Sequence, residues 1–131
     1  MGKTSRMVAA IVAIGGGVVF AAQAPAPSLR TDVQPIFDRE CTGCHGVKRA
    51  RSKLDLSAAN ANKALVNAAS AEVPSMMRVA PGTPEQSYLW LKLDGRASQG
   101  KGMPRGVFSW KRLSDADLAV IKSWIESGAA E

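Results

Sequence analysis

Two cysteines stand three positions apart, Cys41 and Cys44, and the residue immediately after the second is His45. The 131-residue chain has no other cysteine and no other histidine. In a shuffled chain of this composition the coincidence has a probability of roughly one in ten thousand, so Cys41-Thr42-Gly43-Cys44-His45 is read as a site. The pattern is that of covalent haem attachment. Each thiol adds across one vinyl group of the porphyrin, and the imidazole that follows holds the iron from the proximal side. A chain tethered in this way folds around a large apolar disc, which enlarges the core available to a small domain.

Three other chemistries use such residues, and each wants something this chain lacks. A thioredoxin-like pair wants a βαβ pattern, and the flanks show none. A structural zinc site wants four Cys or His ligands, and here there are three, contiguous in sequence. A disulfide between Cys41 and Cys44 would close a very short loop and add little stability.

The N-terminus has the layout of a secretory signal peptide over residues 1–24. Lys3 and Arg6 precede an apolar run, Met7 to Ala22, interrupted by Gly15-Gly16-Gly17 and followed by small residues. Cleavage after Ala21 or after Ala24 satisfies the small-residue rule. The alternative is an uncleaved membrane anchor, but about sixteen residues make roughly 24 Å of helix, short of the ~30 Å hydrocarbon core. The expected location is periplasmic or otherwise exported, with membrane attachment only if the segment stays. No cysteine in the leader offers a lipid attachment point. Losing Lys3 and Arg6 lowers the formal charge from +6 to +4. Aromatics are 5% of the chain and no helix carries a dense Lys/Arg stripe, so nucleic-acid binding is not expected.

Residues 25–30 read as a linker and 31–131 as one domain of helices and turns with few convincing strands. Asp32 is placed to cap a first helix with Val33, Ile36 and Phe37 on one face, running directly into Cys41. Pro35 is tolerable there because it falls in the first turn. Ser57 is placed to cap a second, alanine-rich segment from Ala58 to Ala69. After the Pro81-Gly82-Thr83-Pro84 turn, Glu85 to Leu93 carries Leu89, Trp90 and Leu93 at helical spacing, with Gly95 as the stop. Ser114 opens the last helix with Asp115 and Asp117 in its first turn; Leu118, Ile121, Trp124 and Ile125 form its stripe, and Gly128 ends it. From Arg96 to Arg112 no period is sustained, so the segment reads as a long functional loop.

That loop contains Met103-Pro104. With one histidine in the chain, the sixth iron ligand must be Met, Lys, a terminal amine, water or nothing. Met103 is the preferred thioether, ahead of Met76 and Met77. Gly100 and Gly102 would let the backbone approach the porphyrin, and Pro104 biases Met103 toward an extended conformation. A thioether on iron favours the ferrous state, which suits an electron carrier. Met103 as a mere gap filler is the plain alternative.

The residues together resemble a known family. Cys41-Thr42-Gly43-Cys44-His45-Gly46, Val33-Gln34-Pro35-Ile36-Phe37, Pro81-Gly82-x-Pro84 with Ser87-Tyr88-Leu89, Gly102-Met103-Pro104, and Trp124-Ile125-x-x-Gly128-Ala129 are similar to small monohaem cytochromes c. They look most like the exported domains common in planctomycete and acidobacterial-type sequences. The resemblance implies an all-α cytochrome c fold, about four helices around one covalent haem c, in which the N- and C-terminal helices cross and Phe37 meets Trp124. The stretch from Ala58 to Val79 is longer than a minimal member of that family needs.

Other residues invite lesser roles. Leu89 and Trp90 pack either on the haem face or in the general core. Tyr88, Arg78 and Trp110 are candidate donors to a haem propionate. Lys48, Arg49, Arg51 and Lys53 follow the haem motif and Lys101 and Arg105 flank Met103, a ring of charge that would steer an acidic redox partner or simply keep the surface soluble. The expected protein is an electron carrier that transforms no substrate, with Cys41 and Cys44 as thioether anchors, His45 as proximal ligand and Met103 as distal ligand. The alternatives are a haem domain with an open sixth position, for gas sensing or peroxidase-like chemistry, and a haem subunit fixed to a dehydrogenase.

Overall fold

Pro35 shapes the start of the domain, because it has no N–H to return to the Thr31 carbonyl and its ring presses on that carbonyl. The computed structural model, which describes residues 24–131, answers with a widened π turn at Leu29–Val33 that leads into α1, Gln34–Glu40. The cap lies earlier than Asp32. Ser28 Oγ accepts from the Thr31 N–H at 3.2 Å, and Asp32 accepts from the Ser28 N–H at 2.8 Å, a reciprocal pair that closes the helix start. Leu29 and Arg30, inside the stretch expected to be linker, are therefore helical, and Leu29 is buried. The expected leader, residues 1–24, lies outside the described residues except for Ala24.

The Ala58–Ala69 helix is shorter than expected. Only α2, Ala61–Leu65, forms, after a turn in which Asp55 accepts from the Ser57 N–H and from Asn60 Nδ2. Alanine propensity is overridden by pairing across the chain. Asn67 takes a left-handed φ of 55° and donates its N–H to Val79, Arg78 donates to Ala68, and isolated bridges join Val66 to Val79 and Ala69 to Met77. The long stretch up to Val79 is thus a folded excursion that returns to the end of α2.

The third helix is interrupted by Ser87. A 3₁₀ turn at Pro84–Gln86 is followed by α3, Tyr88–Leu93, because the fully buried Ser87 sits at ψ 112° with its hydroxyl 2.9 Å from the Ala80 nitrogen and 3.0 Å from the Thr83 carbonyl. Gly95, at φ 74°, ends α3, and the Arg96 N–H reaches back to the Leu91 carbonyl in the pattern of a Schellman cap. The last helix, α4, spans Asp115–Glu126 as expected, with Ser114 Oγ accepting from the Asp117 N–H.

Four α-helices make up most of the regular structure among the described residues, but all-α is not the whole description. A two-stranded antiparallel pair, β1 at His45–Gly46 and β2 at Arg49–Ala50, follows the cysteine motif, with Val47 and Lys48 at its tip. Val33, Phe37, Leu65, Leu93, Ile121, Trp124 and Ile125 are all fully buried in one core. Phe37 and Trp124 share that core, and the N-terminal segment meets α4 both through the π turn and through Arg39 of α1. Leu29 N–H donates to the Ala130 carbonyl at 2.8 Å, Trp124 Nε1–H donates to the same oxygen at 2.7 Å, and Arg39 pairs with Asp117 at 2.8 Å. No helix among the described residues is long and apolar enough to cross a membrane.

Candidate functional site

The cysteine motif continues α1 as one more turn. Cys41 and Thr42 both donate to the Phe37 carbonyl, and Cys44 and His45 both donate to that of Cys41. The chain then folds back sharply at Gly46, where a Cβ would sit 2.5 Å from the Thr42 carbonyl oxygen. This reversal carries His45 into β1. Its Nδ1 lies 3.0 Å from the Arg51 carbonyl, so that nitrogen bears the proton and Nε2 keeps its lone pair for a metal.

Cys41, Cys44, His45 and Met103 all line one cavity of about 230 Å³. Its walls are mostly apolar: Leu54 and Leu56 come from the chain after β2, Leu65 from α2, and Leu89 and Leu93 from α3. Arg51, Arg78 and Arg105 add positive charge to its lining. Neither Met76 nor Met77 lines it, and Met77 is exposed. Leu89 faces the cavity while Trp90 does not; Trp90 is buried in the core, with the Lys122 ammonium of α4 5.9 Å from its ring centroid.

Cys41 and Cys44 are not joined in a disulfide. Burial pushes the Cys41 thiol up to about 12, and the neighbouring Glu40 carboxylate adds to the effect. A thioredoxin-like nucleophile needs the opposite shift, which a helix N-terminus supplies; this pair follows a helix C-terminus. Among the described residues no three His, Cys, Asp or Glu side chains are arranged to hold a metal ion, which leaves the zinc reading without support. Two unbridged cysteines and an oriented imidazole on a mostly apolar cavity fit a porphyrin with vinyl edges and a central iron.

The Arg96–Arg112 segment is held at many points. The Met103 N–H donates to the Lys92 carbonyl at the end of α3, and the Met103 carbonyl accepts from Trp110 Nε1–H at 2.9 Å. Lys92, buried and absent from the sequence-level site, fixes the preceding turn. Its ammonium donates to the Gln99 and Lys101 carbonyls, at 3.0 Å each, and pairs with Glu72, so each of its three donors has a partner. The signal for it was modest: Lys92 follows Tyr88 by four positions, between Leu91 and Leu93 on a bulky helix.

Two expectations about this loop change. Gly100 and Gly102 were expected to admit the porphyrin, but Gly100 packs on Glu72 and Lys92, and a Cβ at Gly102 would lie 2.9 Å from the Trp110 indole. Of the candidate propionate donors, Trp110 does not line the cavity and its single N–H is committed to Met103. The Tyr88 hydroxyl lies 2.6 Å from the Gln99 carbonyl and 3.0 Å from Glu72, and burial together with Glu72 raises its phenol above the usual value. Arg78 faces the cavity and uses one guanidinium nitrogen on the Ala64 carbonyl, which leaves others free.

The family model described as cytochrome c matches residues 31–129 of the chain. The chain belongs to the cytochrome c family. Its cofactor is accordingly haem c, covalently bound with its iron, and a cytochrome c domain carries electrons to and from redox partner proteins. Among curated proteins and among solved structures, none matches this chain.

Proposed function

We propose that this protein is an exported, single-haem electron shuttle in which His45 is the proximal ligand and Met103 the distal ligand. The observation that carries the reading is the convergence of Cys41, Cys44, His45 and Met103, drawn from two segments about sixty residues apart, on one apolar cavity. Haem, when bound, supplies an iron that changes by one electron between ferric and ferrous. Cys41 and Cys44 would hold the group at the end of α1 by thioethers, each S–H adding across a vinyl double bond with the sulfur on one carbon and the hydrogen on the other. His45, held by the Arg51 carbonyl through Nδ1, offers Nε2 in a fixed orientation. Met103 offers a neutral sulfur from a loop pinned on both sides, and the leucines around the cavity exclude water.

Charge supports docking at the same end of the molecule. Arg30, Arg39, Arg96, Lys111, Arg112 and Lys122 are each ion-paired at the surface. Apart from Lys63, every Lys and Arg outside the ion pairs among the described residues lines the cavity or belongs to residues 48–53 and 101–105 beside it. Unpaired positive charge around the cavity suits an acidic partner and a salt-sensitive encounter. Residues 1–24 support export by their signal-peptide layout.

The test is an absorption spectrum of protein made in a host able to attach c-type haem, taken in ferric and ferrous states with and without carbon monoxide. A low-spin ferric spectrum with a weak sulfur-to-iron charge-transfer band, and a ferrous spectrum unmoved by carbon monoxide, are expected. A high-spin spectrum that binds carbon monoxide readily would overturn the His/Met assignment.

A further inference from the structure

We infer that Trp110 is a positioning residue for Met103, setting how firmly that side chain is held toward the iron. The inference rests on Met103 being the distal ligand. Met103 is anchored through both of its backbone groups, its N–H to α3 and its carbonyl to the Trp110 indole. The indole is itself fixed. A Cβ at Gly95 would lie 2.8 Å from Cη2 of the six-membered ring, and one at Gly102 would lie 2.9 Å from Cδ1 and Cγ of the five-membered ring, so both ends of the indole rest against glycine backbone. The bridge between Arg105 and Trp110, with the Lys111 N–H on the Pro104 carbonyl at 2.9 Å, folds the chain back so that Trp110 lies beside Met103. Seven residues separate donor from acceptor, and the turn at Gly106 to Ser109 closes the gap.

A thioether is a weak ligand whose hold depends on how little freedom its loop has when the bond breaks. An added ligand competes with Met103 for the iron, so its affinity reports the hold directly. Trp110→Phe keeps most of the ring and deletes the only N–H. We expect it to raise imidazole affinity of the ferric protein roughly fivefold, the equivalent of one lost hydrogen bond, and to weaken the sulfur-to-iron charge-transfer band. Gly102→Ala displaces the indole without removing its N–H and should move both readouts the same way. Ser114→Ala, which removes the α4 cap without touching the hydrogen bonds that hold Met103 or Trp110, should lower thermal stability while leaving imidazole affinity at the parent value.

A Trp110→Phe protein with parental affinity and band, or a Ser114→Ala protein that shifts affinity as much, would overturn the inference. Met103→Ala separates the two levels. If it binds imidazole no tighter than the parent, the distal-ligand reading fails; if it binds far tighter while Trp110→Phe and Gly102→Ala do not, the ligand stands and only the positioning role falls. Should Trp110→Phe fail to fold, Gly102→Ala decides alone.

Discussion

Trp124→Phe should destabilise the haem-loaded protein by about 3 kcal/mol, from three contributions of about 1 kcal/mol each. Trp124 is wholly buried, so the smaller ring removes apolar contact that nothing replaces, worth about 1 kcal/mol. The volume difference of roughly 40 Å³ leaves a void costing about another 1 kcal/mol at ~24 cal/mol per Å³. The third contribution is the indole hydrogen bond to the Ala130 carbonyl at 2.7 Å. That oxygen also accepts from the Leu29 N–H, so it is not orphaned by the change, and the loss stays near 1 kcal/mol, the value of a made bond. Urea unfolding with an unchanged m value would read the total. A double-mutant cycle reads the bond: in a protein lacking residues 130 and 131 the buried indole N–H has lost its acceptor, so Trp124→Phe should cost less by at least about 1 kcal/mol. A total below about 1 kcal/mol, or equal costs in the two backgrounds, would refute the claim that α4 is tied to the π turn at Leu29 through this carbonyl.

Met103→Ala should abolish the sulfur-to-iron band, lower the reduction potential and admit carbon monoxide to the ferrous protein, whereas Met76→Ala and Met77→Ala leave all three nearly unchanged; spectra and a potentiometric titration distinguish them. Lys111, 2.7 Å from Glu40, is the main cause of a Glu40 carboxyl held below its usual range. A depressed carboxylate stabilises the fold above its unfolded pKa and loses that contribution as pH falls through the folded value, so the stability gap between the parent and Lys111→Met should close below about pH 4.5. Denaturant curves from pH 7 to 3 that keep a constant gap would reject this. Electron transfer to an acidic redox protein should slow as salt rises, and Arg105→Gln should flatten that dependence in stopped-flow traces while leaving the spectrum intact.

What was legible in the sequence was local. The last helix announces itself through Ser114, two first-turn acids, a clean apolar stripe and a terminal glycine, and it forms where those signals place it. Cys41, Cys44 and His45 lie within five positions of one another, and Met103 was preferred over Met76 and Met77 for its glycine and proline neighbours; all four line one cavity. The first helix was legible in its buried face but misjudged at its start, because Asp32 looks like a cap until Ser28 is seen to share the work. The Ala58–Ala69 segment failed for a different reason. Its propensity is helical, yet Asn67, Val79 and Met77 offer strand-like partners, and pairing between distant segments outweighs a preference worth a few tenths of a kcal/mol per residue.

The loop around Met103 shows why the remainder was out of reach. Its order comes from contacts with no sequence period: a lysine ammonium that satisfies two carbonyls, a backbone N–H that reaches α3, and an indole that reaches back seven residues. Gly102 was assigned to the porphyrin because glycine permits close approach, and close approach is indeed its use, but the partner is Trp110. The same chemical property was read correctly and attached to the wrong neighbour. For a ligand loop this difference has a functional meaning. If glycine faced the porphyrin, contact with the cofactor would set the loop's position; with Gly102 facing the indole that holds the Met103 carbonyl, the loop's position is set by the protein's own hydrogen bonds, and on the proposed ligation that is what would aim the thioether at the iron.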